Sequence, residues 1–152
     1  MLEQVLTEEM IALDVAAAGW REAIRKSGEL LCRGGKVTEE YIDDMIGMVE
    51  ELGPYIVIIP GIALAHARPD KNKVNDLGLS LVRLKEPLCF GHEKNDPVKI
   101  VLGFATRDKD SHLVLLQEVT YLLKNDSSRE LLFSGTLEEI LEAIKHLAGG
   151  DD

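Results

Sequence analysis

Apolar positions in the first third of the chain recur every three or four residues, which predicts two amphipathic helices. The first helix ends at Gly34-Gly35, and the second runs over residues 39–52 and stops at Gly53-Pro54. Thr38 stands directly before the second helix and is a favourable N-cap residue. Ahead of both helices, the apolar run over residues 11–15 predicts a short first strand.

The middle of the chain changes to continuous apolar runs that are rich in β-branched residues and predict strands. These runs cover residues 55–59, 77–84 and 98–104, with prolines and glycines between them. The first run has no polar interruption, as expected for a strand that is buried on both faces of a sheet.

The last third of the chain returns to a helical pattern. Residues 113–123 are apolar nearly all round, which predicts a well-buried helix. Ser127-x-x-Glu130 and Thr136-x-x-Glu139 are capping boxes that open two further helices. Strands grouped between helical regions predict an α/β fold, a mixed β-sheet sandwiched between helices, in a single domain over residues 1–152.

The composition is that of an ordinary globular chain, with 45% hydrophobic and 29% charged residues. A net charge of -10 argues against DNA or RNA as a partner, because nucleic-acid binders need basic surfaces. No segment reaches the roughly 20 apolar residues of a membrane span, and no secretory signal is expected at the N-terminus. Cys32 and Cys89 form no CxxC motif, which predicts free thiols in a reducing compartment, the cytoplasm.

One stretch differs in charge from the rest of the chain. Residues 66–85 contain five basic and two acidic side chains, whereas the other 132 residues carry a net charge of -13. A locally positive segment in an acidic chain can form an anion site, although ordinary solvated charges are the commoner explanation.

His66 is the first candidate for chemistry. It follows the Pro60-Gly61 turn, and its small neighbours Ala65 and Ala67 leave room for another molecule to approach the ring. A structural core histidine is the alternative. Arg68 and the basic stretch favour an anion-handling role instead.

His112 is the second candidate, because it opens a predicted helix. Unpaired backbone N–H groups in such a first turn, that of Ser111 among them, attract anions together with the helix dipole. The same dipole disfavours imidazolium, so His112 is expected to be neutral and able to donate one hydrogen bond.

The two remaining histidines are weaker candidates for a functional role. His92 lies in a polar loop, and His146 is expected on the surface of the last helix. The chain has no Walker A loop, no GxGxxG and no GxSxG, and its histidines lack metal-ligand spacing. No metal or organic cofactor is therefore expected.

Five segments, in order along the whole chain, resemble the mannitol/fructose-type IIA proteins of the bacterial sugar phosphotransferase system, and most closely the ascorbate-specific branch. The segments cover residues 53–57, 60–70, 85–88, 90–98 and 108–112. Among them, His-Ala-Arg-Pro at His66 and His-Glu-Lys-Asn-Asp-Pro-Val at His92 are the most specific.

The resemblance implies a phosphotransferase component that works through phosphohistidine. The family's phosphocarrier HPr would phosphorylate His66, which would pass the group to a cysteine of a IIB component and so serve the IIC membrane transporter indirectly. His112 would stabilise the phosphate, and Arg68 and Ser111 are the candidate phosphate-binding neighbours. Where the family has proline before the phosphorylated histidine this chain has Ala65, which loosens the backbone but removes no chemical group.

Several alternatives stay open at this point. A IIA component for another sugar or polyol, such as mannitol, fructose or galactitol, would carry the same motifs. A regulatory phosphoprotein of the same fold would bind a target protein instead of feeding a transporter. A small metal-dependent hydrolase could use His66, His92 and His112. The sequence also leaves the oligomeric state open, a homodimer included.

Overall fold

The computed structural model describes residues 2–149 and contains a five-stranded mixed β-sheet. The strands are β1 (Ile11–Val15), β2 (Val57–Ile59), β3 (Ile62–His66), β4 (Gly78–Leu88) and β5 (Val98–Ala105). They lie in the order β1-β4-β5-β3-β2. Because β3 and β5 are parallel neighbours, both strands end at the same edge of the sheet.

Helices cover both faces of this sheet, which confirms the predicted α/β sandwich. They are α1 (Leu2–Val5), α2 (Trp20–Arg33), α3 (Glu39–Leu52), α4 (Lys109–Lys124), α5 (Asp126–Ser134) and α6 (Leu137–Gly149), with a 3-10 turn at Glu8–Met10. Two adjacent residues of β5 show the two faces. A Cβ at Gly103 would lie 3.1 Å from the Cβ of Ser27 in α2, whereas the Phe104 ring packs against His112 of α4.

Most predicted elements are confirmed, including β1, α2, α3, β4, β5 and the capping box of Thr136 and Glu139 at α6. Gly53 ends α3 with a φ of 87°, a conformation that favours glycine. Thr38 does occupy the N-cap position of α3, but its hydroxyl makes no capping bond. That oxygen is buried without a partner among residues 2–149.

Three details of the predicted elements are wrong. The run over 55–59 is not a strand buried on both faces, because only Val57–Ile59 is a strand, it lies at the sheet edge, and Ile58 is 42% exposed. Helix α4 is not buried all round, since Leu113, Val114 and Tyr121 are exposed. Helix α5 begins before the predicted capping box, with Asn125 as the cap that accepts from the Ser128 amide.

The hydrophobic pattern gives no sign of β3, the strand that carries His66. Its first four residues are small or apolar and fully enclosed between the two helical layers, and His66 is its half-buried last residue. Gly61 directly precedes the strand, and its φ of 82° and the bond from its amide to the Asn95 carbonyl set the turn. Within residues 2–149, no helix combines the length and apolar character that a membrane crossing needs.

Candidate functional site

His66 ends β3 in register with Phe104 of β5, so its ring stands at the edge of the sheet. The Nδ1 atom lies 2.8 Å from the carbonyl oxygen of Leu64. A carbonyl only accepts hydrogen bonds, so Nδ1 carries the proton and donates it. In the neutral ring the lone pair therefore sits on Nε2, which is the nitrogen available for attack on a substrate.

Tyr41 of α3 holds the backbone on the far side of His66. The Ala67 amide donates to the Tyr41 hydroxyl at 3.1 Å, and the hydroxyl donates to the Phe104 carbonyl at 2.9 Å. The side chain is fully buried, and burial raises the pKa of the Tyr41 hydroxyl, which keeps it a donor. This side chain thus joins the ends of β3 and β5 where their ladder stops, a role that the apolar stripe of α3 does not signal.

The structure brings His112 to His66, as predicted. Their ring centroids are 6.1 Å apart at an interplanar angle of 60°, and the His112 ring packs edge-on against Phe104 at 4.9 Å. Burial, and secondarily the neighbouring His66, lower the pKa of His112, so its ring is neutral at neutral pH. One reacting group could contact both rings at this separation.

The first turn of α4 differs from the expectation. Asp108 caps the helix, and its carboxylate accepts from the Ser111 amide at 2.8 Å and from the Ser111 hydroxyl at 2.9 Å. These bonds lower the pKa of the Asp108 carboxyl. The Ser111 amide is therefore not an unpaired donor, and the anion at this helix start belongs to the protein itself. The Asp108-x-x-Ser111 spacing is a recognisable capping signal.

Arg68 is exposed and follows β3 by two residues. Its charge opposes the effect of burial, which raises the pKa of the nearby Tyr55 hydroxyl. Within residues 2–149 Arg68 makes no ion pair, although it lines a cleft that is mainly acidic. The carboxylates of that cleft come from Asp43, Asp44, Glu51 and Asp70.

Not all of the basic side chains of residues 66–85 gather at His66. Lys73 pairs with Asp44 at 2.7 Å, and Arg83 donates to the carbonyls of Leu132 and Gly135 at 3.1 and 2.9 Å. Two members of the basic stretch are thus used in holding the fold. Arg68 lies beside His66, and the charge of Lys71 acts on the Asp108 carboxyl at the start of α4.

Exposed apolar side chains lie next to His66 and in the first turns of α4. The Tyr55 ring stands edge-on to the His66 ring at 5.7 Å and is 40% exposed. Leu113 and Val114 follow His112 and are also exposed. Large apolar side chains that are exposed to solvent are typical of a protein-binding surface. The sequence patterns assign Leu113 and Val114 to the core and therefore miss this surface.

His92 and His146 lie elsewhere. The His92 Nδ1 accepts from the Asn95 amide at 3.0 Å, and the same loop bonds to Gly61, which lies directly before β3 and about 16 Å of extended chain from His66. His146 is exposed on α6, as expected. Within residues 2–149 no three His, Cys, Asp or Glu side chains group as metal ligands, so the histidine triad of a metal-dependent hydrolase is not assembled.

The fold and the site together define an α/β protein with a half-buried histidine at the end of β3 beside a second, neutral histidine. Residues 4–147 match the family model for "Phosphoenolpyruvate-dependent sugar phosphotransferase system, EIIA 2". The chain therefore belongs to this family of phosphotransferase system (PTS) components, as its motifs indicate, and its class is that of sugar-transport phosphotransferases.

Individual relatives agree with this assignment. The chain is similar to the "Ascorbate-specific PTS system EIIA component" of Salmonella typhimurium, with 37% identity over 88% of both chains. The protein of that name from Escherichia coli K12 is 34% identical over 93% of both chains. Among solved structures, IIA mannitol in its complex with phosphorylated IIB mannitol from Escherichia coli superimposes with a TM-score of 0.80, at 30% identity, over 93% of this chain and 99% of that one.

Proposed function

We propose that this chain carries a phosphoryl group on Nε2 of His66, which it receives from HPr and passes to a cysteine of a IIB component during L-ascorbate uptake. The bond from Nδ1 of His66 to the Leu64 carbonyl carries the proposal, because it leaves the lone pair of this half-buried ring on Nε2.

The first transfer needs no separate base. The Nε2 lone pair forms a bond to phosphorus while the bond between phosphorus and the HPr histidine nitrogen breaks, and that nitrogen keeps the electron pair. The ring of His66 becomes more positive as its lone pair is shared. The Leu64 carbonyl stabilises that charge through the Nδ1 proton.

The second transfer moves the phosphoryl group from His66 to the IIB component. A thiolate of IIB attacks phosphorus, the bond between phosphorus and Nε2 breaks, and the electron pair returns to the ring. His112 supports both steps by donating a hydrogen bond to a phosphoryl oxygen, since its neutral ring keeps one N–H. The negative charge of the transferred group is spread over its three oxygens, and neighbouring hydrogen-bond donors stabilise it.

Arg68 and Ser111 have unequal parts in this proposal. Arg68 is exposed beside His66 and can approach either the phosphoryl group or an incoming partner. Ser111 acts less directly, because its amide and hydroxyl are committed to Asp108. Its contribution is to fix the first turn of α4 and thereby the position of His112.

The partners dock on the apolar surface formed by Tyr55, Leu113 and Val114. Tyr55 lies edge-on to His66, and the exposed Leu113 and Val114 directly follow His112 in α4. A protein that covers this surface would also cover the phosphoryl group and exclude water from it. A solved relative is described in complex with phosphorylated IIB, which supports IIB as one occupant. HPr, the donor, would use the same surface in its turn.

L-ascorbate is the proposed substrate of the whole system because two curated relatives are ascorbate-specific components. This chain never contacts the sugar in the proposed scheme, so the choice of sugar depends on the IIB and IIC components that accept its phosphoryl group. We expect the chain to act in the cytoplasm, where the proposed exchange with HPr would take place.

A reconstitution tests the proposal. The chain is incubated with phosphoenolpyruvate, enzyme I and HPr, and mass spectrometry locates the added phosphate. We expect one phosphate on His66, and none on a His66→Ala variant. His146→Ala is the matched control, since His146 is an exposed histidine on α6, a helix that carries none of the candidate site residues.

The phosphorylated chain is then mixed with IIB proteins of ascorbate-, mannitol- and galactitol-type systems. Faster transfer to the ascorbate-type cysteine would support the ascorbate assignment, and preference for another IIB would replace it. Phosphorylation without transfer to any IIB would favour a regulatory phosphoprotein instead.

A further inference from the structure

Thr106 contacts His112 from the buried side of the site. The residue follows β5 directly, is 1% exposed, and places its Oγ1 atom 3.2 Å from Nδ1 of His112. Its carbonyl oxygen also accepts from the Asp70 amide at 3.3 Å, which ties the segment between β5 and α4 to the segment that follows His66. Nothing in the family motifs draws attention to this threonine.

The hydrogen bonds open to Thr106 and His112 decide which ring nitrogen of His112 holds the proton. Within residues 2–149, Nδ1 of His112 is the one hydrogen-bond partner of the Thr106 hydroxyl. If Nδ1 carried a proton and donated it, the hydroxyl hydrogen would be buried without an acceptor, which is unfavourable. If the hydroxyl donates to an unprotonated Nδ1, both groups are satisfied and the proton of the neutral ring sits on Nε2.

We propose that Thr106 is a positioning residue whose hydroxyl donates to Nδ1 of His112 and so holds this ring as the Nε2–H tautomer. The Nε2–H group lies on the side of the ring away from Thr106, where it is free to donate to a phosphoryl group on His66. The assignment of the tautomer stands on the contact alone, whereas its value for transfer rests on the proposed function.

The two histidines are thereby set in opposite states. The Leu64 carbonyl fixes His66 with its proton on Nδ1 and its lone pair on Nε2. Thr106 fixes His112 with its lone pair on Nδ1 and its proton on Nε2. One ring is prepared as nucleophile and the other as hydrogen-bond donor, by partners that lie outside the reacting centre.

The contact with Thr106 also favours the neutral form of His112. Protonation of Nδ1 would require the Thr106 hydroxyl to turn and accept, which leaves its own hydrogen without a partner. The lowered pKa of His112, caused by burial and by His66, agrees with this preference for the neutral ring.

The test compares Thr106→Val, which removes the hydroxyl at nearly constant volume, with Thr106→Ser, which keeps it. Long-range 15N–1H spectra of the unphosphorylated chain, at a pH where His112 is neutral, report its tautomer directly. We expect the Nε2–H form alone in the wild type and in the serine variant, and a mixture of both neutral forms in the valine variant.

Transfer from HPr gives the second readout. The valine variant should show a kcat about tenfold lower at an unchanged KM for HPr, because the donor is misplaced but the docking surface is intact. The serine variant should stay within about twofold of the wild type.

An Nδ1–H tautomer in the wild-type chain would overturn the proposal even if the valine variant failed to fold. Full transfer by the valine variant, or equal loss in both variants, would also overturn it. A wild-type chain that takes no phosphate would instead refute the proposed function and leave the tautomer measurement valid.

Discussion

The hydroxyl oxygen of Tyr41 lies 3.1 Å from the amide nitrogen of Ala67, the residue that follows the candidate phosphorylation site. This bond replaces the sheet hydrogen bond that the Ala67 amide loses where β3 leaves β5. The Tyr41 side chain, which belongs to α3, therefore fixes the backbone next to His66.

Tyr41→Phe should destabilise the chain by about 1–3 kcal/mol, because the Ala67 amide stays buried without an acceptor. Urea unfolding measures the loss. Tyr121→Phe is the matched control, since the Tyr121 side chain is 55% exposed on α4 and its hydroxyl should contribute almost nothing. Equal stability of both variants would show that the Tyr41 bond is dispensable.

His112→Gln should slow phosphoryl transfer from HPr by about 10- to 1000-fold without abolishing it, because an amide can still donate a hydrogen bond. Quench-flow labelling with phosphorylated HPr measures the rate. His92→Gln serves as control, since His92 belongs to the loop at the opposite end of β3. Wild-type rates in the His112 variant would remove this residue from the mechanism.

The sequence predicts those parts of the fold that depend on residues close together in the chain, and it misses those that depend on distant residues. Patterns within ten residues indicate β1, α2, α3, β4 and β5 correctly, because the apolar period there follows the buried face. They miss β3, since alanines at positions 63 and 65 have little strand preference and are accepted only because layers on both faces enclose them.

The site shows the same division. The motif around His66 and the helix start at His112 are local signals, and both residues reach the site. The hydroxyls of Tyr41 and Thr106 are not found, because each acts on a partner set by the sheet and the helix ends rather than by spacing. The exposed Leu113 and Val114 mislead the pattern for a different reason: an apolar docking surface and an apolar core have the same composition.

Arg68→Ala should slow transfer from HPr while leaving the unfolding midpoint unchanged, because the side chain is exposed and makes no ion pair among residues 2–149. Added salt should weaken the wild-type rate more than the variant's rate, since screening acts on the charge that the variant lacks. Lys145→Ala, at an exposed position of α6, controls for net charge. An unchanged transfer rate in the Arg68→Ala variant would show that Arg68 is an ordinary surface charge.

The protonation of His112 should depend on the state of His66. In the unphosphorylated chain the lowered pKa of His112 places its titration below the usual value of about 6.5. The unfolded chain then binds the proton more readily, so this histidine's contribution to stability is complete above about pH 6.5 and is lost as pH falls toward the folded pKa.

A phosphoryl group on His66 should reverse this shift, because its negative charge favours imidazolium in the adjacent ring. NMR titration of the His112 Cε1 proton in both states measures the two midpoints. An upward shift on phosphorylation is the expected result. Identical midpoints would mean that the phosphoryl group points away from His112.

The chemical stability of the bound phosphate should identify its acceptor. Phosphate on His66 is joined through nitrogen, so it should be released in acid and retained in base, whereas phosphoserine behaves in the opposite way. Ser111 is the nearest rival because it precedes His112, but its hydroxyl donates to the Asp108 carboxylate at 2.9 Å. That carboxylate also repels an incoming phosphoryl group at this position.

Ser111→Ala should therefore take up one acid-labile phosphate, as the wild type does, and lose about 0.5–1 kcal/mol of stability with its bond to the helix cap. Mass spectrometry before and after acid treatment measures the first effect, and urea unfolding the second. Asp108→Asn is the control that keeps a capping oxygen but removes the charge. It should take up phosphate on His66 alone if nitrogen is the only acceptor. Acid-stable phosphate on Ser111 in that variant would show that the Asp108 carboxylate, and not the chemistry of the histidine, directs the phosphoryl group.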